Sequence, residues 1–188
     1  MNRAELEHVI RAAAEIADDP DIVVVESQSI LGTYPDAPAT LLTSREADVY
    51  PRNKPDQAAA IDANMGDLSL FDATFGYYAH GVGPETAKAP LGWEARLVPV
   101  KNENTGGATG WCLDVHDLLL AKCAAGRERD WPFIEEALRH RLADPALLLD
   151  RLPTLPLEPP RLAEVKRLLE ATILRAQRRP LPSVSQEF

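Results

Sequence analysis

Cysteine is scarce in this chain. Cys112 and Cys123 are the only two among 188 residues, and their spacing matches neither a disulfide framework nor a zinc site. Nothing near either one in the sequence would depress a thiol pKa, so no nucleophilic cysteine is indicated. Long apolar runs are missing too: none approaches the roughly 20 residues that a membrane span requires. The opening residues MNRAELEHVI carry no secretory pattern and read as an amphipathic helix. Together these absences point to a protein of the reducing cytoplasm with no membrane partner. Positive charge is in deficit as well. Twenty Lys and Arg face 29 Asp and Glu, a net charge of −9, which argues against a general nucleic-acid binder. The deficit is uneven: residues 159–188 hold six Lys/Arg against three Asp/Glu, a net of +3, which leaves −12 for the rest. That split suits either a solvated helix face or a polyanion contact beside an acidic body. No repeat is visible. Gly81-Val82-Gly83-Pro84 is a turn and not a dinucleotide loop, and no serine-hydrolase elbow occurs.

The pattern of elements is legible from periodicity and breakers. Residues 2–17 place Leu6, Ile10, Ala13 and Ile16 on one helical stripe, and Pro20 ends that helix. Ile22-Val23-Val24-Val25 is a short β-branched run, as expected of a buried strand. Ser27 is a good N-cap for a short helix over 28–31. Strands are predicted at 46–50, 77–82, 95–100 and 111–113, and helices at 55–64, 114–125 and 130–142, with a turn at 102–107. Residues 153–160, PTLPLEPP, form a stiff proline-rich connector. A helix over 161–178 closes the fold, followed by a tail after residue 179 expected to be disordered. The order implies an α+β domain, a mixed sheet flanked by helices with a helical C-terminal part. The expected division is an α/β core over 1–113, a helical part over 114–152 that completes the site, the connector, and the C-terminal helix with its tail over 161–188.

One constellation carries chemistry. Side chains alternate across a strand, so Glu46 and Asp48 share a face. Two carboxylates on one face repel each other unless a cation lies between them. Mg²⁺ prefers oxygen ligands, taking one or two carboxylates together with phosphate oxygens. Upstream, Ser27 opens a short helix whose amides can receive phosphates. A strand, a Ser turn, a helix and a strand with two spaced carboxylates suit phosphoryl or nucleotidyl transfer.

Val25-Glu26-Ser27-Gln28-Ser29-Ile30 and Glu46-Ala47-Asp48 resemble the fingerprint of the DNA polymerase beta-like nucleotidyltransferase superfamily. That fingerprint is glycine followed by glycine or serine at a strand-to-helix turn, then an Asp-x-Asp/Glu pair on the next strand. Further on, the segment from Asp117 through Lys122, Arg127 and Arg129 to Asp130 is similar to that of the AbiEii/MenT-type toxin nucleotidyltransferases. There a helix ends in lysine and alanine, and an arginine-rich turn and an aspartate follow. Residues 22–142 also resemble a bacterial group described as nucleotidyltransferase-like. The resemblance implies a nucleotidyltransferase-type fold and an Mg²⁺-dependent enzyme using NTP. Ser27, Gln28 and Ser29 would lie around the phosphates, Glu46 and Asp48 would hold Mg²⁺, Lys122 would grip the triphosphate, and Asp130 would be its partner carboxylate. Asp48, Lys122 and Asp130 form the implied catalytic set. Some members of that branch are toxins of toxin–antitoxin or phage-defence systems that modify the acceptor end of tRNA, which implies tRNA and a cognate antitoxin as partners.

The chain departs from the fingerprint in several places. Glu26 stands where the superfamily has glycine. A carboxylate about 4 Å from a phosphate charge costs on the order of 4 kcal/mol at an effective dielectric near 20, unless a cation or an arginine neutralises it. Residues 32–45 make the motif spacing long, so an insertion or loop beside the site is expected. The first carboxylate of the pair is glutamate, and the third metal carboxylate is unassigned, with Glu94 and Glu103 standing in the right part of the chain. Plainer readings coexist with the functional ones. Ser27 and Ser29 suit a helix cap, Glu46 and Asp48 a solvated strand, Lys122 a snorkelling side chain, and Asp130 an N-cap before Trp131-Pro132. Arg127 and Arg129 are phosphate or tRNA ligands only on the functional reading. His80 reads as a structural histidine, with a base as the alternative, His116 as structural, and Tyr77-Tyr78 as core and rim in preference to a base-stacking platform. The alternative to an active enzyme is a degenerate nucleotidyltransferase fold kept as a nucleotide-binding or protein-interaction module. A weaker third is a structural partner protein that binds through helix 161–178.

Overall fold

A computed structural model describes residues 1–178; the tail expected to be disordered lies outside the described residues. Helix α1 (Arg3–Ala17) begins at a reciprocal cap. The Asn2 side chain accepts from the Glu5 amide, and the Glu5 carboxylate accepts from the Asn2 amide. Its stripe of Leu6, Val9, Ile10 and Ala13 is fully buried. Strand β1 (Asp21–Val25) follows, then a 3₁₀ turn at Ser27–Ser29 and the one-turn helix α2 (Ile30–Thr33). Next come β2 (Glu46–Pro51), α3 (Ala58–Met65), α4 (Leu70–Phe75), β3 (Tyr78–Gly81), β4 (Val98–Val100) and β5 (Thr109–Cys112). Four further helices complete the described chain: α5 (Val115–Ala125), α6 (Asp130–Arg139), α7 (Pro145–Arg151) and α8 (Pro159–Arg178).

The five strands lie in the order β3-β2-β1-β5-β4. β1 is antiparallel to β2 and parallel to β5; β3 is parallel to β2, and β4 antiparallel to β5. This is the mixed sheet of an α+β fold, flanked by helices as the pattern implied. β1 is central, which explains its run of apolar β-branched residues: Ile22, Val23, Val24 and Val25 are all buried. Pro99 is tolerated because β4 is an edge strand. Two glycines set the spacing. A Cβ at Gly110 would collide with Ile10, so its absence lets α1 lie directly on β5. A Cβ at Gly81 would run into the Ala58 carbonyl, so its absence seats β3 against α3.

Several boundaries moved. The strand expected over 95–100 is only Val98–Val100, because Trp93–Arg96 forms a 3₁₀ turn. Helices α4 and α7 were not anticipated, although Ser69 and Asp144 cap them; both are short, and apolar periodicity needs more than two turns to register. The predicted helix at 130–142 stops at Arg139, and that at 161–178 starts two residues early, at Pro159. Among the described residues no helix is long and apolar enough to cross a membrane.

The helical part is tied to the sheet by buried charge. Asp117 is fully buried on α5 and receives Arg96 through two hydrogen bonds and Arg151 through one. One turn earlier, Asp114 caps α5 and accepts from His116 and Arg151. Burial alone would raise the Asp114 carboxyl, but the hydrogen bonds from His116 and Arg151 outweigh it and bring it down to about 2. A depressed carboxyl contributes stability that is complete above its ordinary value near 4 and is lost as pH falls toward 2. At 1.36 kcal/mol per pKa unit this amounts to about 2 kcal/mol. Urea midpoints measured between pH 5 and 2 should therefore fall less steeply for Asp114→Asn than for the native chain; identical slopes would show that the group does not contribute.

Candidate functional site

The site forms where β1 ends. Val25 pairs with Asp48, so Glu26 leaves the sheet beside the acidic pair on β2. Glu26 has φ 55° and ψ −158°, a region that L-residues with a Cβ avoid and glycine does not. Glycine, which the resemblance leads one to expect at this position, would adopt this conformation without strain. The glutamate side chain points into the cavity and is held there by two cations. Lys122 Nζ lies 3.2 Å from Glu26 Oε2, and Arg127 Nη2 lies 2.9 Å from Glu26 Oε1.

Lys122 and Arg127 meet again on Asp130. Nζ of Lys122 is 3.4 Å from Asp130 Oδ1, and Nε of Arg127 is 2.9 Å from Asp130 Oδ2. Glu26, Lys122, Asp130 and Arg127 thus close a four-membered ring of alternating charge. Local sequence builds half of it. Gly126, at φ 64°, ends α5 and turns the chain so that Arg127 and Asp130 face back toward Lys122. Asp130 does not cap α6: its carboxylate is spent on Lys122 and Arg127, and Arg129 stands at the cap position. Lys122 is 3 % exposed and also donates to Ser27 Oγ at 2.8 Å. Its ammonium lies 4.7 Å from the centre of the Phe133 ring.

Across the cavity, β2 presents Glu46 and Asp48 on one face. Because β3 runs parallel to β2, His80 stands opposite Asp48. His80 Nδ1 is 3.2 Å from Asp48 Oδ1 and 3.4 Å from Glu46 Oε1. One ligand atom from each of the three lies within 4.8 Å of the others. Tyr78 donates to Glu46 Oε2 at 3.0 Å. Burial, followed by the charges of Glu46 and Glu26, pushes the Asp48 carboxyl up to about 7, with His80 opposing. This face is therefore short of positive charge. Two carboxylates and an imidazole converging on one point form a donor set that fits a divalent cation.

Both halves line one cavity of about 500 Å³, in the range of cofactor and small-ligand pockets. Ser27, Glu46, Asp48, Lys122 and Asp130 are brought together there with Glu26, Thr43, Ser44, His80, Arg127 and Arg129. Gln28 and Ser29 are not. Both are buried; Gln28 Nε2 donates to the Ser44 carbonyl and Ser29 Oγ to the Glu26 carbonyl. Their side chains therefore brace the turn and the loop before β2, and do not face the phosphate position expected of them. Glu94 and Glu103 are exposed on 3₁₀ turns and do not line the cavity. His80, read from sequence as structural, is half exposed at the rim and faces the acidic pair. The signal was its place on a predicted strand; what the sequence withheld was the register that sets it against Asp48. His116 lies elsewhere, bonded to Asp114 and accepting from the Asp144 amide. Cys112 and Cys123 are buried free thiols pushed up to about 12, chiefly by that burial, so neither is a nucleophile.

The model of a family described as "Nucleotidyltransferase of unknown function (DUF6036)" matches residues 4–152. No curated protein and no solved structure matches the chain.

A raised carboxyl destabilises the native state once pH exceeds the ordinary carboxyl value, and the cost is complete above the raised one. For Asp48 this is up to about 4 kcal/mol above pH 7. Asp48→Asn should accordingly raise the melting temperature of the chelator-treated protein at pH 8, and do so much less at pH 4. An unchanged or lower melting temperature at pH 8 would contradict the crowding of charge on this face.

Proposed function

The chain belongs to this nucleotidyltransferase family, and on that premise we propose that it transfers a nucleotidyl group from Mg²⁺-bound NTP to an acceptor hydroxyl. The observation that carries this reading is the convergence of the Ser27 turn, the Glu46/Asp48 pair and the Lys122–Arg127 cations on one cavity. Glu46 and Asp48 would hold Mg²⁺, which supplies neutralisation of the triphosphate charge. Lys122 and Arg127 grip phosphate oxygens, Lys122 as a point charge and Arg127 through its planar fork. Ser27 donates its hydroxyl to the same group. Asp130, buried and bonded to both cations, keeps them aimed at the cavity. In the transfer the acceptor oxygen bonds to the α-phosphorus, the bond from that phosphorus to the bridging oxygen breaks, and pyrophosphate leaves with the electron pair. The hydroxyl proton passes to solvent at the cavity mouth, where His80 and Arg129 are exposed.

The likeness of the Lys122–Asp130 segment to the AbiEii/MenT-type toxins suggests the acceptor end of tRNA as the acceptor, a cognate antitoxin as the restraint, and the cytoplasm as the place of action. Arg129 at the rim and the net positive segment 159–188 offer a polyanion contact beside the acidic body.

Glu26 favours a second reading. It occupies both phosphate-gripping cations, so the fold can equally persist as a nucleotide-binding or protein-interaction module without turnover. Incubation with each labelled NTP, Mg²⁺ and total tRNA separates the two. Label transfer by the native chain, lost in Asp48→Ala, supports the enzyme. Calorimetric NTP binding without transfer supports the nucleotide-binding module, and neither binding nor transfer sinks both of these and leaves only the protein-interaction module. Glu26→Gln removes the competing charge and should tighten NTP binding by at least about tenfold, roughly a third of the repulsion of about 4 kcal/mol between close charges at an intermediate dielectric. Equal affinity would mean that the carboxylate moves aside at no cost.

A further inference from the structure

We infer that His80 is a direct nitrogen ligand of the cation in this cavity, and that it makes the site prefer Mn²⁺ to Mg²⁺. The inference rests on the reading that Glu46 and Asp48 hold a divalent ion, and it specifies which one.

The geometry is that of a coordination triangle. Neighbouring ligands of an octahedral ion with bonds of about 2.1 Å lie about 3.0 Å apart. Nδ1 of His80 is 3.2 Å from Asp48 Oδ1 and 3.4 Å from Glu46 Oε1. Both distances slightly exceed that spacing, so an ion fits among the three donors after only a small closing shift of the side chains. Glu46 and His80 are 36 % and 50 % exposed, so their ends are free to make that shift. The imidazole is also presented with the right nitrogen. Nδ1 faces the carboxylates, while Nε2 points toward Asp62 Oδ1, 3.9 Å away on α3. An outer carboxylate that receives the far N–H fixes the tautomer whose near nitrogen carries a lone pair, a common arrangement behind metal-binding histidines. At 3.9 Å that contact is longer than a hydrogen bond, so a slight rotation or a bridging water completes it.

The backbone supports the placement. β3 is parallel to β2 in a register that sets His80 against Asp48. Gly81, next in the chain, is the residue whose missing side chain lets β3 lie on the Ala58 carbonyl of α3, the helix that carries Asp62. A histidine kept only for structure is expected to bond backbone or core groups. Here every polar contact of the ring is with a carboxylate: Glu46, Asp48 or Asp62.

Ligand type then decides the ion. Mg²⁺ is hard and is served by oxygen alone, whereas imidazole suits transition ions; Mn²⁺ is the transition ion that shares the carboxylate and water preference of Mg²⁺, so it is the one that a mixed carboxylate–imidazole set favours over Mg²⁺ without abandoning that chemistry. Replacing an oxygen donor with nitrogen shifts the preference toward Mn²⁺.

The test uses the whole chain loaded with Mn²⁺ and no substrate. Electron-spin-echo modulation should show coupling to a directly bound ¹⁴N in the native protein and none in His80→Asp. Free-Mn²⁺ resonance, titrated with and without competing Mg²⁺, should show that His80→Asp lowers the Mn²⁺-over-Mg²⁺ preference by at least about tenfold, the scale of ligand-shell changes, while Mg²⁺ still binds. His80→Ala serves as a second variant at this exposed position, with melting curves to check folding. Bound Mn²⁺ without nitrogen coupling, or an unchanged metal ratio in both variants, overturns the inference and leaves the Glu46/Asp48 reading intact. If neither ion binds the native protein, that reading fails, and this inference fails with it.

Discussion

The closed ring of Glu26, Lys122, Asp130 and Arg127 is the interaction on which the site depends. Two of its members are almost wholly buried: Lys122 at 3 % exposed and Asp130 at 1 %. A buried charge costs several kcal/mol unless it is paired and hydrogen-bonded. Each charge here has two opposite partners, so Lys122 and Asp130 are buried with their charges matched, and Glu26 and Arg127 close the ring at the cavity. The ring therefore docks the α5–α6 corner onto the end of β1.

Glu26 gives the ring a second consequence. It adopts a backbone conformation natural to glycine, so the chain accepts local strain on the order of 1 kcal/mol to place a carboxylate where the fingerprint leaves space. That carboxylate satisfies the cations in the absence of substrate and stabilises the cavity. It also stands in the way of any phosphate that would use the same cations. The same negative charge contributes to the elevated Asp48 carboxyl across the cavity. The basic and acidic sides of the cavity are thus linked through one residue. The buried Asp117, with Arg96 and Arg151, works in a different way: it has no such competitor and serves only to bind α7 and the 3₁₀ turn before β4 to α5.

How much of this was readable before folding can be judged residue by residue. A turn at Ser27, the shared face of Glu46 and Asp48, and the helix ending near Lys122 were legible, because alternation on strands and breakers at helix ends are local properties; Ser27 itself opens a 3₁₀ turn and makes no cap bond to the helix expected after it. The unexpected orientation of Gln28 and Ser29 was not legible, since a 3₁₀ turn and an α-helix place successive side chains differently. The contact of His80 with Asp48 was not legible either, because a histidine on a strand gives no sign of its neighbour.

The sequence by itself determined the longer elements, the mixed α+β class and the kinds of chemistry available, since periodicity, breakers and residue type act over a few residues; the short helices α4 and α7 escaped it. Tertiary structure alone decided strand order, the parallel register that brings His80 to Asp48, and the direction of Glu26. Those depend on contacts between segments as far apart as 32 residues for Asp48 and His80 and 101 for Glu26 and Arg127. Such pairings are fixed by how helices and glycines pack on the sheet, and no local pattern encodes them.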